Sequence, residues 1–214
     1  MLKRYYKQVL VGLCMVLLLF LTYSQYKEKK MYESYISNHL HYDMITLAQG
    51  IVKNVSLYED ILESGEITML QADSLAQKND FILSTVQNYA HLAVDFNRLK
   101  EGFEYNETSA NAQKIALFFS HWEENHGNKP ITLDPQIRTI ITKFQALNSN
   151  WVNVVKENKA FAIDNVSVSY SSGELQPYGL SNKFWLDLLV GLEETTTNYL
   201  SENKLNSIGD LFLK

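Results

Sequence analysis

The chain has one cysteine, Cys14, and three prolines, none of them ahead of Pro130. A single thiol permits no intramolecular disulfide, unlike the many secreted domains that depend on several. There is no Walker loop, Gly-x-Gly-x-x-Gly, His-Glu-x-x-His or Cys-x-x-Cys, and Ser171-Ser172-Gly173 lacks the frame of a nucleophile elbow. Internal repeats, low-complexity tracts and long linkers are missing too. Residues 25–214 carry sixteen Lys and Arg against all twenty-four Asp and Glu, a net charge of −8. Binding to a phosphate backbone needs a basic patch, so nucleic acid is not an expected partner.

The remaining polar clusters do not assemble a site. His39 and His41 lie two apart, about 200° around a helix, and cannot grip one ion with Asp43. His121 and His126 are five apart, again poor ligand spacing. Adjacent acids (Glu59 and Asp60, Glu123 and Glu124, Glu193 and Glu194) read as solvated helix faces, and His91 as a boundary residue. Asn54, Asn106 and Asn165 head Asn-x-Ser/Thr triplets that are taken as chance matches. The expectation is a non-enzyme with no metal site, no cofactor and no catalytic residue.

What the chain does possess is Val9 to Leu21, thirteen residues without charge, amide or hydroxyl. Val9, Leu10, Val11, Leu13, Val16, Leu17, Leu18, Leu19, Phe20 and Leu21 form the predicted membrane span. With its flanks, Tyr5 to Tyr23 makes about 28 Å of helix against a hydrocarbon core of roughly 30 Å. Tyr5, Tyr6, Tyr23 and Tyr26 sit at the two expected interfaces, and Lys7 can snorkel outward. Thr22-Tyr23-Ser24 lacks the Ala-x-Ala of a signal-peptidase site, so the run is read as an uncleaved signal-anchor. The alternative is a cleaved signal peptide and a secreted helical protein. Val11-Gly12-Leu13 is a poor lipobox for Cys14.

Lys3, Arg4 and Lys7 before the span balance Lys27, Lys29 and Lys30 after it. Glu28 and Glu33 dilute the second cluster, which favours the N-terminus inside and the C-terminal part outside. The division is then 1–24, a cytoplasmic tail with the span, and 25–214, an extracytoplasmic domain. A disulfide-free exported domain suits a bacterial envelope, with the cell membrane as its place.

Periodicity makes that domain all-α, an antiparallel bundle of four to five helices with one irregular or β-hairpin excursion. Ile36, Leu40, Met44, Leu47, Ile51, Val55, Tyr58 and Leu62 recur at steps of three and four, the face of one unbroken helix ended by Ser64-Gly65. Thr68 with Gln71 forms a capping box. The stripe Leu75, Ile82, Val86, Tyr89, Ala93, Phe96 and Leu99 follows, with Gly102 as its stop. A third helix from Ala110 turns Ile115, Phe118, Phe119 and Trp122 inward, and Gly127-Asn128 closes it. Asp134-Pro135 is a helix start, an acceptor followed by the residue whose φ is already helical. Ile137, Ile140, Ile141, Phe144, Leu147, Trp151 and Val154 then repeat to about Phe161. A last helix from Ser181 carries Trp185, Leu188, Leu189, Leu192, Thr196 and Tyr199.

Between Ala162 and Leu180 the period fails. Asn165 to Tyr170 alternates like a strand, and Ser171-Ser172-Gly173 and Pro177-Tyr178-Gly179 suit turns. So long a connection is a candidate interaction segment, with Val166, Val168, Tyr170, Pro177 and Tyr178 as its residues; covering one end of the bundle is the competing role. The layout resembles the sensing bundles of bacterial chemoreceptors and sensor kinases, without a return span or cytoplasmic output domain. The expected function is an anchored interaction or accessory module of the envelope that meets the bilayer and an envelope protein, self-association being compatible with it. The alternative is a small-ligand sensory bundle acting through a partner.

Overall fold

The computed structural model describes residues 2–126, 129–171 and 179–212. Its elements are α1 (Leu2–Ser64), β1 (Glu66–Ile67), α2 (Met69–Asp95), α3 (Glu107–His126), β2 (Ile131–Thr132), α4 (Pro135–Glu157), β3 (Phe161–Asp164), β4 (Ser167–Tyr170) and α5 (Phe184–Glu202). Two short 3-10 turns, Phe103–Tyr105 and Ile208–Leu211, complete the set. The chain is all-α with two small antiparallel strand pairs. By contacts it divides between His41 and Tyr42, with 179–181 grouped with the N-terminal unit.

In the N-terminal unit, α1 presents its apolar run outward: Val9 to Leu21 have large side chains 48–71% exposed. Thr22 donates its hydroxyl to the Leu18 carbonyl, which removes the one polar side-chain group at the end of this run from competition for water. Further along, Ser37 accepts the Leu180 amide at 3.1 Å.

The C-terminal unit begins with the later turns of α1, whose Met44, Leu47, Ile51, Tyr58 and Ile61 are fully buried. Gly65 ends the helix in the left-handed region (φ 71°), where a side chain is strained, and its carbonyl accepts the Leu133 amide. That bond sits beside the β1–β2 pairing of Glu66 with Thr132 and Ile67 with Ile131. Two-residue strands leave no alternation to read, which is why periodicity misses them. The Thr68–Gln71 capping box is present in full, both side chains bonding the other's backbone. The four residues between α1 and α2 reverse the chain, and Tyr89 late in α2 reaches back to Asp43.

Asn97, not Gly102, stops α2. Asn97 takes the left-handed conformation (φ 53°) and the Arg98 amide returns to the Ala93 carbonyl, the double-bonded finish of a Schellman cap. The helix therefore closes at Asp95 and leaves Phe96 45% exposed, outside the core the periodicity assigned it to. Asp134 caps α4 through the Ile137 amide with Pro135 behind it. In α4 and α5, Ile140, Ile141, Phe144, Leu147, Trp151, Leu188, Leu189, Leu192 and Tyr199 are buried as their spacing predicts. The two helices approach closely at Gly191, where a Cβ would stand 2.7 Å from Val154 Cγ1. The side chain of Trp122, Gly127-Asn128, Ser172-Gly173, Pro177 and Tyr178 lie outside the described residues.

Candidate membrane anchor and interaction segment

The first candidate is the apolar run of α1. Among the described residues it is the one helix segment long and apolar enough to cross a membrane, and none of its most apolar window is buried. The residues read from the sequence as a span, Val9, Leu10, Val11, Leu13, Val16, Leu17, Leu18, Leu19, Phe20 and Leu21, are all exposed, as is Cys14.

The second is the β3–β4 hairpin. Asn158 makes it possible by ending α4: its Oδ1 accepts the Ala160 amide at 3.1 Å, and its Nδ2 donates to the Phe184 carbonyl at 2.8 Å. A side chain that bonds nearby backbone in this way competes with helix continuation. The strands pair Phe161 with Tyr170 and Ile163 with Val168, so those four side chains share one face. Asn165 and Val166 form the two-residue turn, Asn165 in the left-handed region (φ 53°) that asparagine tolerates. The sequence placed Asn165 and Val166 inside a strand and Phe161 at the end of a helix. A stripe that happened to continue into Phe161 hid the strand.

The named segment residues thus split. Val168 is 2% exposed, and its carbonyl accepts Gln49 Nε2 from α1 at 3.0 Å. Tyr170 is half-buried, stacked on Phe161 at 5.5 Å and edge-on to Phe184 at 6.1 Å. Both close over the bundle. Val166 stands apart at 49% exposed. Beside it lies an open groove of about 190 Å³ lined by Val52, Val55, Ser56 and Glu59 of α1, Val152 and Lys156 of α4, and Ile163, Asn165 and Val166 of the hairpin. Its floor is valine and isoleucine, and its charged residues are one exposed acid and one exposed base. A drug-sized ligand takes about 300–1,000 Å³. This volume suits one inserted side chain better.

The polar interior was largely illegible in the sequence. Glu193 accepts the amides of Glu107 and Thr108 at 2.9 and 3.0 Å and the Thr108 hydroxyl at 3.1 Å, capping α3 from another helix. Thr196 then links Thr108 to the Trp151 indole, which donates to it at 2.8 Å. Asn111 holds the last 3-10 turn through the Ile208 amide at 2.7 Å. Asn148 donates to the Ile51 carbonyl and, at 3.5 Å, accepts from Asn54. Among the described residues, Asn54 Oδ1, Asn79 Oδ1 and the Tyr58 hydroxyl are buried without a hydrogen bond of good geometry, the Asn79 amide and the Tyr58 hydroxyl being near neighbours. Asn54 and Asn106 are buried, while Asn165 alone of the three triplet asparagines is exposed.

Burial pushes the phenols of Tyr58 and Tyr89 well above their ordinary range, Tyr89 further so because it donates to the Asp43 carboxylate. Tyr199, which donates to the Lys143 carbonyl, is pushed up to about 12 by burial. Each is a structural hydroxyl held protonated. His91 is exposed, and among the described residues no three His, Cys, Asp or Glu side chains gather to hold a metal. Compared with known proteins, the chain matches no family model, no curated protein and no solved structure.

Proposed function

We propose that this is a membrane-anchored, extracytoplasmic accessory module of a bacterial cell envelope, which docks a protein partner at the hairpin turn and works without catalysis. In this reading the apolar run of α1 is an uncleaved single-pass anchor, with the N-terminus inside and residues 25–214 outside. One observation carries the docking role. Val166 is 49% exposed at the turn of a hairpin whose Phe161 and Val168 are buried, beside an open groove of about 190 Å³ whose valine and isoleucine lining is shared with Ser56, Glu59, Lys156 and Asn165. The valine at the lip of this groove is an exposed apolar side chain that a docked partner would cover, and the groove beside it would receive a side chain of that partner. A small-ligand role has weaker support, the buried polar atoms of Asn54, Tyr58 and Asn79, none of which lines the groove.

The test is Val166→Asp in the full-length protein in its own membrane. The charge falls on an exposed turn, so the melting temperature should hold while chemical cross-linking to the partner drops several-fold. Unchanged cross-linking would remove the turn from the interface. A collapse of the melting temperature would make the hairpin a cap of the core and nothing more.

A further inference from the structure

The N-terminal unit carries an exposed aromatic surface of its own. Tyr32, Tyr35 and His39 lie within about 60° of one another around α1. Tyr32 and Tyr35 are 61% and 63% exposed, His39 is exposed and packs edge-on against Tyr35 at 4.4 Å, and Met31 flanks them at 60%. Away from this arc, Ile36 and Ser37 are half-buried and Leu40 is fully buried. Other exposed positions of this stretch, Glu33, Ser34 and Asn38, are polar, so the exposed aromatic side chains gather on this arc.

Lipid does not account for it. On the anchored reading of the span, on which this inference rests, Tyr23 marks the outer edge of the hydrocarbon. Tyr32 and Tyr35 then stand about 14 and 18 Å further along the helix, beyond a headgroup layer of roughly 5–8 Å per leaflet. Aromatic belts end well before that height.

The spacing says what would cover the face. Cys14, Leu18, Leu21, Gln25, Glu28, Tyr32, Tyr35 and His39 follow one another at alternating steps of four and three, the seam of a left-handed coiled coil. Inside the span every register is apolar, so the discriminating residues are the three aromatic ones. Two copies anchored by the same span must lie parallel with the same residues at the same height, which makes the contact isologous. In that arrangement Glu28 faces its own counterpart, a like-charge contact that the flanking Lys29 of each copy can only offset, so the pairing rests on the aromatic positions.

We propose that the Tyr32–Tyr35–His39 face is the contact between two copies of this chain, paired in parallel just outside the membrane. The test uses cysteine replacements in full-length Cys14→Ser protein, oxidised in native membranes. A disulfide needs Cα atoms within about 7 Å, which facing seam positions meet and outward positions do not. Tyr35→Cys should give a covalent dimer of twice the chain mass, and Glu33→Cys several-fold less. Unmodified protein, with its own Cys14 on the seam, should also dimerise under a membrane-permeant oxidant and lose that product several-fold on Tyr32→Ala with Tyr35→Ala. Equal yields from positions 33 and 35, no dimer from protein that is in the membrane pellet, or an adduct to a different protein would each overturn the pairing. Absence of the chain from the pellet would overturn the anchored reading itself, and the pairing with it.

Discussion

Leu147 shows how far spacing alone reaches at the scale of a residue. It sits on the α4 stripe, and it is fully buried. Leu147→Ala should therefore cost about 2–5 kcal/mol by chemical denaturation, and a loss under about 1 kcal/mol would mean the site is not core. The buried tyrosines give a pH signature. Tyr58, Tyr89 and Tyr199 all hold their protons more tightly folded than unfolded. Their contribution to stability is then complete below the unfolded value of about 10 and lost as pH rises through the folded values. For Tyr199 the folded value is about 12. The melting temperature should fall as pH climbs past about 10, and Tyr199→Phe should soften the fall. A spectrophotometric titration in which all thirteen tyrosines ionise together while the protein is still folded would contradict this. Apolar residues announce their burial by period. Glu193 and Glu194 do not, because adjacent acids look alike until a partner from another helix arrives.

At the scale of an element, that partner is the start of α3. Asn106 caps the Ser109 amide locally, but the Glu107 and Thr108 amides are satisfied by Glu193 from α5, a contact made only when the bundle closes. Glu193→Ala should cost about 1–3 kcal/mol, since it strands buried donors, while Glu194→Ala at an exposed position should stay within about 0.5 kcal/mol. Equal effects would show that the cap contributes nothing. Helices with local caps were readable: Thr68–Gln71 and Asp134–Pro135 mark their starts within four residues of sequence. Elements set by distant partners were not. The β1–β2 pair joins residues 66–67 to 131–132, and no local pattern can encode that. The hairpin lies between these cases. Its alternation was visible, but its turn was not, because Asn165 marks it by a left-handed φ rather than by a Gly.

For the whole molecule, composition fixed what the protein is not expected to bind, and periodicity fixed the all-α class. Neither reached the groove, which exists only where α1, α4 and the hairpin converge from three parts of the chain. The account stands on Val166 being the outward-facing residue of an anchored domain. The most direct measurement places a photo-reactive amino acid at position 166 of the full-length protein in its own membrane. A matched probe goes at Gln87, on the exposed side of α2. The account predicts one discrete adduct with an envelope protein from position 166 and none of that mass from position 87. Identical adducts from both positions, or none from position 166, would contradict it.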